Sequence, residues 1–181
     1  AAALTQSEYE SIGVTGFSVT ATRATAEVAV LNQVISSFED NTKVDRINEV
    51  VDIRKAVSAL IDTVEGKTPA ITKSQLGLLG FAVDAAGVTT DVTDDNLSAI
   101  RKVLADTGIG TDFDTVDTLA KVQTLVNGAI TALEAVKTEA DANDGDSVTV
   151  AQLEAMGVEG AVAAGNTGEN ITLINSILDG A

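Results

Sequence analysis

Apolar residues return at intervals of three and four along most of this chain, the spacing that gathers them on one side of an α-helix. Three stretches carry the same stripe: "VAVLNQVI" at Val28 to Ile35, "LSAIRKVL" at Leu97 to Leu104 and "ITLINSIL" at Ile171 to Leu178. A second kind of helix is written twice. In "VDRINEVVDI" from Val44 and "VDTLAKVQTL" from Val116, the residues Val44, Ile47, Val50 and Ile53 match Val116, Leu119, Val122 and Leu125. Thr42 and Asp114 precede these stripes as caps, Asp45 and Asp117 fall in the electropositive first turn, and the pattern carries on to Val64 and Val136. Each such helix is expected to run roughly 20 residues, about 30 Å.

Ahead of each stripe of the first kind lies a shorter segment: "LTQSEYESIG" at Leu4 to Gly13, "ITKSQLGLLG" at Ile71 to Gly80 and "VTVAQLEAMG" at Val148 to Gly157. Thr5, Thr72 and Thr149 are placed to cap a helix, with Glu8, Gln75 and Gln152 three residues on to complete a capping box. The apolar residue before each Thr and the Tyr9, Leu76 or Leu153 four after it form a hydrophobic staple. Gly13 and Gly157 suit left-handed C-terminal caps. In the middle segment the Gly-Val-Thr signal recurs at Gly87, and Leu76, Leu79, Val83 and Ala86 keep the stripe going. Its helix is therefore expected to be longer by about two turns.

Put together, the elements predict an all-α chain of tandem three-helix bundles in an elongated array. Residues 4–69 make one unit, 70–147 a second with the longer first helix, and 148–181 a partial third of two helices. Short joints at Lys67 to Ile71, which holds Pro69, and at Asp141 to Val148 set the angles between units. A bundle lacking one helix exposes an apolar groove. Continuation of the natural chain past Ala181 is the favoured expectation for what covers it, and a dimer through the incomplete third unit is the alternative.

Composition narrows the possible roles. The packing falls to Ala, Val, Leu and Ile, with aromatics at 3% and no Trp, which favours slim helices lying close over a deep ligand pocket. A net charge of -16, from 27 acidic and 11 basic residues, repels nucleic acid and anionic membranes alike. His and Cys are absent, so serine-histidine and cysteine-histidine catalysis are excluded and no disulfide framework exists. No apolar run approaches the roughly 18 to 20 residues of a membrane helix. Acidity, few Lys and abundant Thr, Asp and Gly suit a bacterial secreted or surface protein, and "AAALTQ" at the start reads as a processed or excised piece.

"DANDGDSVTV" from Asp141 is the strongest candidate for chemistry. Asp141, Asn143, Asp144 and Asp146 offer oxygen ligands for calcium in a Gly-containing turn, with Val148 at the apolar eighth position of a helix-loop-helix calcium loop. Gly145 and Asp146 reverse the usual order, and Gln152 stands where a bidentate Glu belongs. A flexible acidic linker that caps the next helix is the competing reading. The acids of "FEDNTKVD" and "TDFDTVD" are explained by capping. Asp94 and Asp95 follow Thr93 as first-turn acids, and neighbours in sequence point apart on a helix. The glycines of "GIGTDF" and "GAVAAGNTGEN" lack the strand and Lys of a phosphate loop. Asn96 and Asn170 fit the glycosylation acceptor but fall at equivalent points near the second helices, so repetition explains them more cheaply.

The stretches "LTQSEYESIGVTG", "VDTLAKVQTLV" and "DANDGDSVTVAQLEAMGV" resemble helical repeats of very large bacterial surface and adhesin-like proteins, over nearly the whole chain. The three-helix plan is also similar to the small albumin-binding modules of cell-wall proteins. The resemblance implies a non-enzymatic spacer or adhesive scaffold. An array of binding modules, recognising a host, matrix or cell-surface protein through exposed helix faces, is the second expectation.

Overall fold

The computed structural model describes residues 3–38, 47–85, 90–107, 113–142, 148–158 and 169–178. Among them the regular structure is helical: α1 (Gln6–Ser11), α2 (Ala21–Ser37), α3 (Ile47–Val64), α4 (Lys73–Leu78), α5 (Leu97–Thr107), α6 (Leu119–Ala142), α7 (Val150–Ala155) and α8 (Glu169–Leu178). One isolated bridge joins Val83 to Val92.

Short helices need their ends closed, because a six-residue helix has few internal bonds to set against its free N–H and C=O groups. α1, α4 and α7 close theirs alike. The backbone N–H groups of Glu8, Gln75 and Gln152 donate to the hydroxyls of Thr5, Thr72 and Thr149, at 3.3, 3.2 and 3.3 Å. The Glu8, Gln75 and Gln152 side chains accept in return from the N–H of the Thr, at 2.8, 2.8 and 2.6 Å. At the far end Gly13, Gly80 and Gly157 take φ of +94°, +93° and +78°, a conformation open mainly to glycine. The N–H after each glycine reaches back to the carbonyl of Tyr9, Leu76 or Leu153, at 3.0, 3.2 and 2.9 Å. That bond over six residues completes a Schellman ending.

The longer helix expected in the second segment is not what the structure holds. α4 ends at Leu78, and Gly80 closes it where Gly13 closes α1. The stripe beyond serves a different purpose. Val92 N–H donates to Ala82 C=O at 2.8 Å and Asp84 N–H to Val92 C=O at 3.2 Å, so Val83 belongs to an extended pairing. Asp84 then turns the chain with φ +46°. Ala86 and Gly87 lie outside the described residues. A second difference concerns α6. Asp114 does not cap it; Thr118 does, its hydroxyl accepting from Lys121 N–H at 3.2 Å. Val116 is fully buried ahead of the helix, which holds the preceding turn against the core and moves the start to Leu119. Thr42 and Asp45, the caps expected for α3, lie outside the described residues.

Each long helix is packed on both sides in chain order. α3 lies against α2 before it and against α4 and α5 after it; α6 lies against α5 before it and α7 after it. One continuous core results, from Tyr9, Val30 and Val34 through Val57, Leu60 and Ile61 to Ile71, Leu76, Leu104 and Val126. The boundary expected between residues 69 and 70 carries no break in it. Ile71 is fully buried just past the cis Thr68–Pro69 bond, its N–H donating to Thr63 Oγ1 and its carbonyl accepting from Arg101 Nε, both at 2.7 Å. Burying an aliphatic side chain of this size contributes about 1.5–3 kcal/mol. A separate small cluster forms around Val148 and Leu153, with Val136 of α6 and Ile171 and Ile174 of α8 packed against it.

A buried ionic group fastens α2 to α3. Arg23 pairs with Glu27 and Asp62 at 2.9 Å each, donates to Ser58 Oγ at 3.2 Å and also pairs with Glu65. Glu27 is 1% exposed and accepts a further bond from Ser18 N–H at 2.9 Å, closing the approach to α2. Burial draws the Arg23 pKa down, but its bonds to Glu27 and Asp62 and the nearby charges of Asp62 and Glu65 outweigh this and raise it.

Candidate functional site

The recurrent short segment is gripped each time from the helix that follows it. Asn32 of α2 brackets the peptide of Leu4, accepting from its N–H at 2.9 Å and donating to its carbonyl at 2.8 Å. Asn175 of α8 does the same to Val148, at 3.0 and 3.2 Å. Between them, Arg101 of α5 holds the carbonyl of Ile71 while Thr63 takes the N–H. Asn32, Arg101 and Asn175 occupy the fifth place of "VAVLNQVI", "LSAIRKVL" and "ITLINSIL". The pattern therefore held a signal for the grip: a polar residue in the same place on an otherwise apolar stripe. Gln33, beside Asn32, binds the start of α6 through Leu119 N–H at 2.8 Å.

The third segment makes an additional contact. A side chain at Gly157 would place its Cβ 2.6 Å from Lys102 Cγ and 2.8 Å from Asp106 Oδ2, so the backbone there lies directly on α5. Gly13 and Gly80 have no atom within 4 Å of the same position. α7 is thus seated on α5 as well as on α6.

The carboxylates singled out in the sequence fall into different surroundings. Asp94 pairs with Lys73 at 2.8 Å, and Asp84 joins the same ammonium at 2.9 Å. The hydrogen bonds with Asp94 and then Asp84 raise the Lys73 pKa. Asp95 turns away toward α6, lining a cleft of about 490 Å³ with Thr93, Asn96, Thr131, Glu134 and Lys137. The two neighbours therefore share no proton-transfer geometry. Asn96 is buried, its Nδ2 donating to Asp91 C=O at 2.9 Å and its Oδ1 accepting from Thr93 N–H at 3.0 Å. A glycan has no access to that nitrogen in the folded chain. Asp117 pairs with Lys121 at 2.8 Å.

Of the calcium candidates, Asp141 contributes its backbone to the last turn of α6, while Asn143, Asp144 and Asp146 lie outside the described residues, as do most of "FEDNTKVD", "GIGTDF" and "GAVAAGNTGEN". Among the described residues no group of three or more acids forms a metal-sized cluster, and no helix is long and apolar enough to cross a membrane.

Two surfaces stand out for their chemistry. A groove of about 590 Å³ runs between α2 and residues 113–118, floored by Thr25, Ala29 and Gln33 and walled by Phe113, Asp117 and Thr118. On α8, Leu173 and Ile177 stand 62% exposed, four residues apart on one face. Set against known proteins, the chain matches no family model, no curated protein and no solved structure.

Proposed function

We propose that the chain is a non-enzymatic spacer or adhesive scaffold segment of a secreted or cell-surface protein, built from tandem helical units. One observation carries the reading: the capping box, the Schellman glycine and the grip on the residue before the Thr recur together at Leu4, Ile71 and Val148. The second and third units do not stand alone, since α4 packs on α3 and α7 on α6, the long helix of the unit before, and stacking on neighbours is the logic of a quasi-linear array. The absence of His and Cys and the charge of -16 fit a role that requires bulk, solubility and reach.

Small-angle X-ray scattering with calcium and with EDTA tests this. A spacer gives an elongated, monomeric and stiff particle; a compact or freely hinged one would sink the reading. A calcium-dependent stiffening would select Asp141, Asn143, Asp144 and Asp146 as a calcium-bound joint, and an unchanged profile would select the acidic linker. The second reading, an array of protein-binding modules, is favoured by the apolar face of α8.

A further inference from the structure

The grip on the recurrent segment sets a register between α2 and α8. Asn32 and Asn175 make the same pair of bonds, so residues follow one another from α2 to α8 in fixed correspondence: Val28 with Ile171, Leu31 with Ile174, Val30 with Leu173 and Val34 with Ile177. Ile171 and Ile174 pack on the α7 cluster. Val30 and Val34, by contrast, lie on the stripe that includes Arg23 and Glu27, and Arg23 reaches Ser58, Asp62 and Glu65 of α3. That stripe is the one α3 covers, and Val30 and Val34 are completely buried. Val103 of α5, which corresponds to Ile177 by its spacing from Arg101, is buried too, in a helix that packs on α6. Leu173 and Ile177 stand exposed, with no such cover among the described residues.

We propose that this face of α8 is the seat of an amphipathic helix of the α3 type, one presenting Val, Ile, Leu or Ala at the spacing of Ile53, Val57, Leu60 and Val64. The proposal rests on the tandem-unit reading, because it transfers an established helix contact from one unit to the next. A second copy meeting α8 face to face is disfavoured. Two side chains bury far less than the roughly 1,600 Å² of a standard interface, and each copy carries a charge of -16.

The test uses the full chain with a synthetic peptide of residues 47–64, and a chain bearing that same sequence after a Gly-Ser tether at its C-terminus, which raises the effective concentration to about millimolar. Saturable binding of the peptide is expected, together with at least a tenfold slowing of amide exchange in α8 of the tethered chain. Leu173→Asp with Ile177→Asp should remove both effects while leaving residues 148–158 protected. Unchanged α8 exchange in the tethered chain would overturn the proposal, as would a doubled mass in sedimentation that the two Asp substitutions abolish. An Asn175→Ala variant separates the two ideas. If it loosens residues 148–153 but no helix binds, the seat fails and the tandem reading stands; if it loosens nothing, the correspondence itself is gone.

Discussion

Asn32 holds Leu4 by both of its backbone polar groups, across 28 positions of sequence, and the same carboxamide oxygen accepts from the Tyr9 hydroxyl at 2.9 Å. One side chain thus fixes the entry to α1, the cap and the aromatic residue that packs on Phe17 with ring centres 6.0 Å apart. Asn32→Ala removes all three bonds, and a lost set of this kind costs about 1–3 kcal/mol. The urea midpoint should fall accordingly. Asn32→Asp keeps the acceptor but, while ionised, has no donor for the Leu4 carbonyl; protonation at acidic pH restores an O–H donor, so its midpoint should move toward that of the wild type as pH falls.

Arg23 compensates a carboxylate that is almost completely buried. Arg23→Met strands Glu27, and breaking such a pair from one side costs about 3–5 kcal/mol. Arg23→Met with Glu27→Leu should recover much of that loss, which a double-mutant cycle in thermal or urea unfolding would read directly. A single variant no worse than a surface substitution would refute this account of the α2–α3 junction.

Acid stability should carry a signature of the first cap. The backbone N–H of Thr5, and then its hydroxyl, hold the Glu8 carboxyl below its ordinary 4.5. A depressed carboxyl contributes stability above its unfolded value and loses it as pH falls through the folded one. Glu8→Gln reproduces the pairing seen with Gln75 and Gln152 and does not titrate. The variant should therefore stay folded at neutral pH and lose less stability than the wild type on acidification below 4.5.

Gly13→Ala and Gly157→Ala form a matched pair. Both put a Cβ on a left-handed residue, a penalty of about 1–2 kcal/mol. Only Gly157 also meets Lys102 and Asp106. Exchange at α7 should accelerate in Gly157→Ala well beyond the change at α1 in Gly13→Ala; equal effects would remove α5 from the seating of the third segment.

These residues also mark what could be read without coordinates. The caps at Thr5, Thr72 and Thr149 were legible because every bond they make lies within ten residues of chain. α4 misled because Leu76, Leu79 and Val83 fit a helical stripe, whereas Val83 pairs with Val92, a contact no local period encodes. Asp114 yielded to Thr118 for a similar reason, since the position of Val116 in the core decides where α6 starts. The grips of Asn32, Arg101 and Asn175 left a trace in the aligned stripes, but their targets lie 27 to 30 residues away and required the fold.

The sharing of each long helix between the segment before and the segment after has a consequence for how the chain is made. Most of its packing joins elements adjacent or next but one in sequence, so α3 is complete before α4 and α5 need a surface, and α6 before α7 does. Structure can then spread from the amino end as the chain emerges, each helix serving as the template for the next arrival. The longest-range tie described above is that of Gln33, which waits for Leu119. That late bond ties α2 to the start of α6, so the packing around α2 is finished only once α6 has arrived.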